Sequence, residues 1–157
     1  TRMRMWTVSS YSFPCPSTAF TETIAINGTD VPVHDRSGIP TAVFEGTLAN
    51  LTEEGMHRFN RRMCGGREVL QTYEQVAARP LDEVREELQQ LYSRIKEETA
   101  KPVADRFWSR AIIASEDRIF PAGNLRNYWQ GRCPVMELEA PHYLFHKWKL
   151  WNEIWTR

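Results

Sequence analysis

The sequence has no long apolar run. Nothing in its 157 residues approaches the roughly twenty apolar positions that a membrane-crossing helix needs. It has no surplus of charge either. Twenty Lys and Arg against twenty Asp and Glu leave a formal net charge of +0, so overall charge gives no argument for nucleic acid or an anionic membrane as partner. Cysteine is sparse: Cys15, Cys64 and Cys133 are widely spaced, with no CxxC. An odd, scattered set of this kind reads as reduced thiols in a cytoplasmic protein. The first residues, Thr1-Arg2-Met3-Arg4-Met5-Trp6, lack the apolar stretch of a secretion signal. No group of His, Cys and carboxylate has metal-ligand spacing, and no glycine-rich phosphate loop is present. Neither a metal nor an organic cofactor is expected.

What is there has the composition of an ordinary soluble domain, 41% hydrophobic and 25% charged. Residues 1–20 hold Ser9, Ser10, Ser12, Ser17 and two prolines around Cys15, without a helical period or sustained alternation; they read as irregular chain. Order begins at Thr21. Thr23-Ile24-Ala25-Ile26 suits a strand buried on both faces of a parallel sheet. Its rival is a hairpin, with Asn27-Gly28 as turn and Val31-Pro32-Val33 as return strand. Residues 34–50 are mixed and turn-rich. Three helices are then predicted. The first covers about 51–63, capped by Asn50 or Thr52 and ended by Gly65-Gly66. The second covers about 67–78, with Val69, Tyr73 and Val76 on one stripe. The third starts near Pro80 and carries Val84, Leu88, Leu91 and Ile95 at helical spacing.

The last third alternates strand and helix. Ala111 to Ser115 reads as a buried strand, the stretch after Pro121 as a helix, and Pro134 to Glu139 as a strand. A final helix is predicted to carry Leu144, Trp148, Trp151 and Trp155. This order implies an α/β fold with a parallel sheet and crossover connections. In such sheets functional groups gather at the carboxyl ends of the strands. Asp117 and His142 each lie just past such an end, with one helix between their strands. On neighbouring strands they would face each other, and an acid there holds an imidazole in the tautomer that accepts a serine proton. Each also has a plainer reading, Asp117 as a turn or cap residue and His142 as a loop residue. Glu116 is the nearest rival acid. His146 lies in the predicted last helix, and His34 and His57 have no strand end beside them. A nucleophile is not evident: none of Ser9, Ser10, Ser12 or Ser17 sits between glycines in a strand-to-helix turn.

These residues resemble a known family. The run Ile24-Ala25-Ile26-Asn27-Gly28-Thr29, then Asp35 to Pro40, then Ala42-Val43-Phe44-Glu45-Gly46-Thr47-Leu48, is similar to the middle of the BioG-type pimeloyl-carrier-protein methyl ester esterases. The similarity continues through Leu51-Thr52-Glu53, Phe59 to Gly65, Ala78-Arg79-Pro80, Ser115 to Phe120 and His142 to Phe145. It covers residues 21–157 in order. The resemblance implies the C-terminal part of one α/β-hydrolase domain: three parallel strands with flanking helices, and a helical cap at about 35–100. It implies Asp117 as orienting acid and His142 as general base of a serine triad. The implied reaction cleaves the methyl ester of pimeloyl on acyl carrier protein, a step in biotin precursor synthesis. The family's tryptophan-serine-x-glycine elbow does not appear in the run from Trp6 to Pro16. Residues 1–20 are therefore left unassigned, and the stop reads as a frame error, a fragment boundary or a rearranged gene start. Arg58, Arg61, Arg62 and Arg67 cluster on the cap. They suit docking of an acidic carrier protein, or simply a solvated face. Two other functions stay open: a hydrolase of another acyl ester or thioester, and a non-catalytic remnant or binding module.

Overall fold

The computed structural model describes residues 22–75, 78–98 and 108–155. Its spine is a three-stranded parallel sheet in the order β1-β2-β3, with β1 at Ile24–Ile26, β2 at Arg110–Ala114 and β3 at Val135–Leu138. Ile26 pairs with Ile112, and Ala114 with Leu138. The central strand is dry on both sides. Ala111 and Ile113 enter one core, Ile112 and Ala114 the other, none more than 1% exposed. A strand with no wet face needs no polar alternation, which is why Ala-Ile-Ile-Ala is uninterrupted. β3 lies on an edge and does alternate. Met136 and Leu138 face the core, while Glu137 turns outward to an ion pair with Arg126.

The hairpin alternative for β1 does not form. Val33 bridges to Ile39 rather than returning along β1, and Asn27 takes the left-handed conformation at φ 45°. The chain then enters a helical insertion between β1 and β2: α1 at Thr41–Ala49, α2 at Glu53–Cys64, α3 at Arg67–Tyr73 and α4 at Leu81–Glu98. Helix α1 was not predicted. Pro40 and Gly46 hid it, yet Pro40 stands at its cap, where the fixed ring costs nothing. In α2 the cap is Thr52, whose hydroxyl accepts the Gly55 N–H at 3.0 Å. Helix α3 is shorter than predicted, ending at Tyr73 where that ring packs edge-on against Tyr143; Val76 lies outside the described residues. In α4 the stripe of Val84, Leu88, Leu91 and Ile95 is half-buried and the flanking charges are exposed. Arg85 ties it to the segment after α1 by donating to the Leu51 carbonyl at 2.8 Å.

Helix α5, Ala122–Trp129, crosses from β2 to β3 and buries Leu125, Tyr128 and Trp129 on one face. The predicted last helix is a correction. A 3-10 turn at Phe145–Lys147 and a four-residue α6 at Asn152–Trp155 replace it, with Trp148 extended between them. The helix-spaced tryptophans misled: Trp151 and Trp155 are about half exposed, and Ile154 is the buried residue. Arg110, paired with Glu22, donates to the Ile154 carbonyl and holds this segment to the start of β2. Among the described residues no helix is long and apolar enough to cross a membrane.

Candidate active site

The site is built where β2 and β3 end. Beyond the paired strands their two loops stay zipped: Ser115 N–H donates to the Leu138 carbonyl at 2.8 Å, and Glu116 N–H to that of Ala140 at 3.1 Å. Asp117 sits in the first loop with no side-chain exposure. Its Oδ1 accepts the Ile119 and Phe120 N–H groups, both at 2.8 Å. Its Oδ2 meets Nδ1 of His142 at 2.7 Å. An ionised carboxylate only accepts, so Nδ1 carries the proton and Nε2 keeps its lone pair. His142 is 13% exposed at its side chain, so the pair is sheltered but reachable.

The second loop is held from three directions. Tyr143 N–H donates to the Met63 carbonyl at 2.9 Å, joining the loop to the end of α2. Gly65, left-handed at φ 69°, lies against Pro141; a Cβ there would stand 2.7 Å from the Pro141 Cβ. Asn27 reaches over from β1 and donates from Nδ2 to the His142 carbonyl at 2.8 Å. On sequence alone Asn27 reads only as part of a turn. The signal available was a polar residue closing an apolar strand at the same sheet edge as the candidate pair.

The rival residues stand apart. Glu116 is exposed and contributes only its backbone. His146 is exposed, with Nδ1 at 2.9 Å from the Tyr143 carbonyl. His57 lies 3.6 Å from Glu74, and Nδ1 of the exposed His34 accepts from Arg36. Cys64 ends α2 fully buried, and that burial pushes its thiol up to about 11, so it holds almost no thiolate at neutral pH. Burial raises Cys133 as well, and it sits before β3, at the opposite end of the sheet. Among the described residues no hydroxyl bonds to Nε2 of His142. Ser9, Ser10, Ser12 and Ser17 lie outside the described residues.

A groove of about 1040 Å³ runs between α1 and α2. Arg58, Arg61, Arg62, Arg67 and Arg118 line it, with Val43, Phe59 and Leu70 among its apolar residues. All five arginines are exposed. Arg58 pairs with Glu54; among the described residues no carboxylate is paired with the other four. Arg118 directly follows Asp117, and Gly65 at the groove's edge touches Pro141. Neither Asp117 nor His142 lines the groove; it approaches them only through Arg118 and Gly65.

A parallel α/β sheet presenting a buried carboxylate bonded to histidine Nδ1 at its carboxyl edge, with a helical insertion before those strands, has the make-up of an α/β-hydrolase fold, here a part of it. The chain belongs to the BioG family: the family model described as pimeloyl-ACP methyl esterase BioG matches residues 3–154. That match begins upstream of Thr21, so the family likeness extends into residues 3–20, which were expected to lie outside it. The chain is 40% identical to an uncharacterized protein of Haemophilus influenzae over 131 residues, covering 83% of this chain and 60% of that protein. It is 38% identical over 143 residues to a malonyl-[acyl-carrier protein] O-methyltransferase of Bacteroides fragilis, covering 90% of this chain but 28% of that one. Its structure resembles the crystal structure of BioG from Haemophilus influenzae with a TM-score of 0.82 at 37% identity, over 88% of this chain and 64% of that one. The chain thus spans less than two thirds of the length of these relatives.

Proposed function

We propose that this chain carries the acid and histidine of a serine carboxylesterase that removes the methyl ester from a pimeloyl group on acyl carrier protein, in biotin precursor synthesis. The observation that carries the proposal is the 2.7 Å contact between a fully buried Asp117 and Nδ1 of His142. With Nδ1 protonated, Nε2 takes the proton of a serine hydroxyl as its oxygen attacks the ester carbonyl. The imidazolium gives that proton to the departing methoxide, releasing methanol. Water, deprotonated by the same nitrogen, then frees the carboxylate and restores the serine. Family membership supports this substrate, and so does the name of the Bacteroides relative, which concerns methyl transfer to a carrier-bound acyl group. The setting we assign is the cytoplasm.

The test is labelling of the chain with a fluorophosphonate, mapped by peptide mass spectrometry, beside hydrolysis of the carrier-bound methyl ester. Labelling of one serine with ester cleavage would place the nucleophile within this chain and make it an active esterase. Labelling without cleavage of this ester favours another acyl ester or thioester as substrate. No labelling favours a non-catalytic binding module.

We assign the groove arginines to docking of the acidic carrier protein. Apart from Arg58, paired with Glu54, they are exposed cations without a carboxylate partner among the described residues; such cations cost little to bring to an anionic surface and steer its approach. Reversing Arg61 and Arg62 to Glu is expected to raise KM for the carrier-bound ester about tenfold at low salt. KM for a small soluble ester should not move. Equal effects on both substrates would reject docking.

A further inference from the structure

We propose that Asn27 is a positioning residue that sets His142 against Asp117. The inference rests on the reading of those two residues as a catalytic pair. Asn27 follows the last residue of β1 and is 7% exposed. Its backbone N–H extends the ladder by donating to the Ile112 carbonyl at 2.9 Å. Its positive φ of 45° then turns the chain out of the strand. The side chain crosses the carboxyl edge of the sheet: Oδ1 accepts the Ala114 N–H at 2.7 Å, and Nδ2 donates to the His142 carbonyl at 2.8 Å. One buried amide thereby links the ends of β1 and β2 to the loop after β3.

The residue type follows from three demands. The backbone is left-handed, which asparagine tolerates and β-branched residues do not. The side chain must accept at one atom and donate at the other, which aspartate cannot do. The reach must be short, since a longer amide would overshoot Ala114. Asp117 is already fixed, because its Oδ1 is held within its own loop. Pro141 and Tyr143 anchor the loop to α2 and its cap, and among the described residues it is Asn27 whose side chain ties the sheet to the histidine itself. The His142 carbonyl also accepts the Leu144 N–H at 3.0 Å, but that bond is internal to the loop and does not locate it on the sheet. Asn27 does.

The experiment is proton NMR of the 157-residue chain and of three variants. The Nδ1 proton of His142, held by a carboxylate, is expected at low field in the unmodified chain and is expected to vanish in Asp117→Asn. If the unmodified chain lacks it, the pairing of acid and histidine fails, which is a separate failure from that of Asn27. In Asn27→Asp, the left-handed backbone and the Ala114 contact persist but the donor to His142 is lost; in Asn27→Gly only the backbone persists. Both are expected to speed solvent exchange of the His142 proton about tenfold, the loss of one buried hydrogen bond. Unchanged exchange in folded variants, with only a lower melting temperature, would make Asn27 merely structural and overturn the proposal. A second measurement needs no variant to fold. In the unmodified chain a trans-hydrogen-bond coupling from the Asn27 side-chain nitrogen to the His142 carbonyl carbon is expected, and its absence also overturns the proposal. Neither readout requires ester cleavage.

Discussion

In a form of the enzyme that carries the serine nucleophile, Asp117→Asn is expected to lower kcat for ester hydrolysis about ten-thousandfold, a loss of about 5 kcal/mol in transition-state stabilisation, with KM little changed. The reason is tautomeric. The introduced amide would offer its NH₂ group to Nδ1, which favours the proton on Nε2 and leaves no base for the serine. The fold should survive, because the amide oxygen can still accept from the Ile119 and Phe120 N–H groups that Oδ1 serves now. Asp117→Ala is a different experiment. It would leave both N–H groups unpaired in a buried turn, at about 1–3 kcal/mol each. Melting temperature should thus fall for the alanine variant and hold for the asparagine variant, while activity is lost in both. Hydrolysis by Asp117→Asn at the native rate would end the triad reading.

The parts of this fold that were legible in the sequence are those where one local signal had a single meaning. Ala111-Ile112-Ile113-Ala114 has no polar face, so only a central strand accommodates it. The spacing from Asp117 to His142 leaves room for one crossover helix, and α5 occupies it with Leu125, Tyr128 and Trp129 turned inward. The illegible parts are those where tertiary contacts override a local signal. Pro40 and Gly46 read as breakers, yet one caps α1 and the other faces open space within it. Leu144, Trp148, Trp151 and Trp155 have helical spacing, but Leu144 and Ile154 are the residues the core takes, and Trp148 is extended. In the site, the acid and histidine were legible because strand ends announce themselves. Their supports were not, because Asn27 and Gly65 are distant in sequence and ordinary in type. Both look like turn residues. What distinguishes them is which loop they touch, and only the folded chain says so.

Gly65→Ala tests the second of these supports and is expected to have a large effect on both stability and catalysis. The φ of 69° costs an L residue about 1–2 kcal/mol. The added methyl would also stand 2.7 Å from the Pro141 Cβ, well inside the roughly 3.5–4.0 Å at which carbon atoms rest. Neither side yields cheaply. Gly65 terminates α2, whose Met63 carbonyl holds Tyr143, and Pro141 is buried beside His142. Overpacking of this kind typically costs a further 1–3 kcal/mol or so. Chemical denaturation should therefore register a loss of about 2–5 kcal/mol in total. Gly66→Ala is the control. That residue is the extended N-cap of α3 at φ −150°, and a methyl there meets nothing within 4 Å, so its effect should stay within the roughly 1 kcal/mol of a poorer cap. Gly65→Asn separates the two terms, since asparagine relieves most of the backbone cost but keeps the Cβ. If it recovers stability while activity stays low, the contact with Pro141 is what keeps His142 in place. Full recovery of both would assign the whole effect to the helix cap and leave the histidine loop independent of the helical insertion.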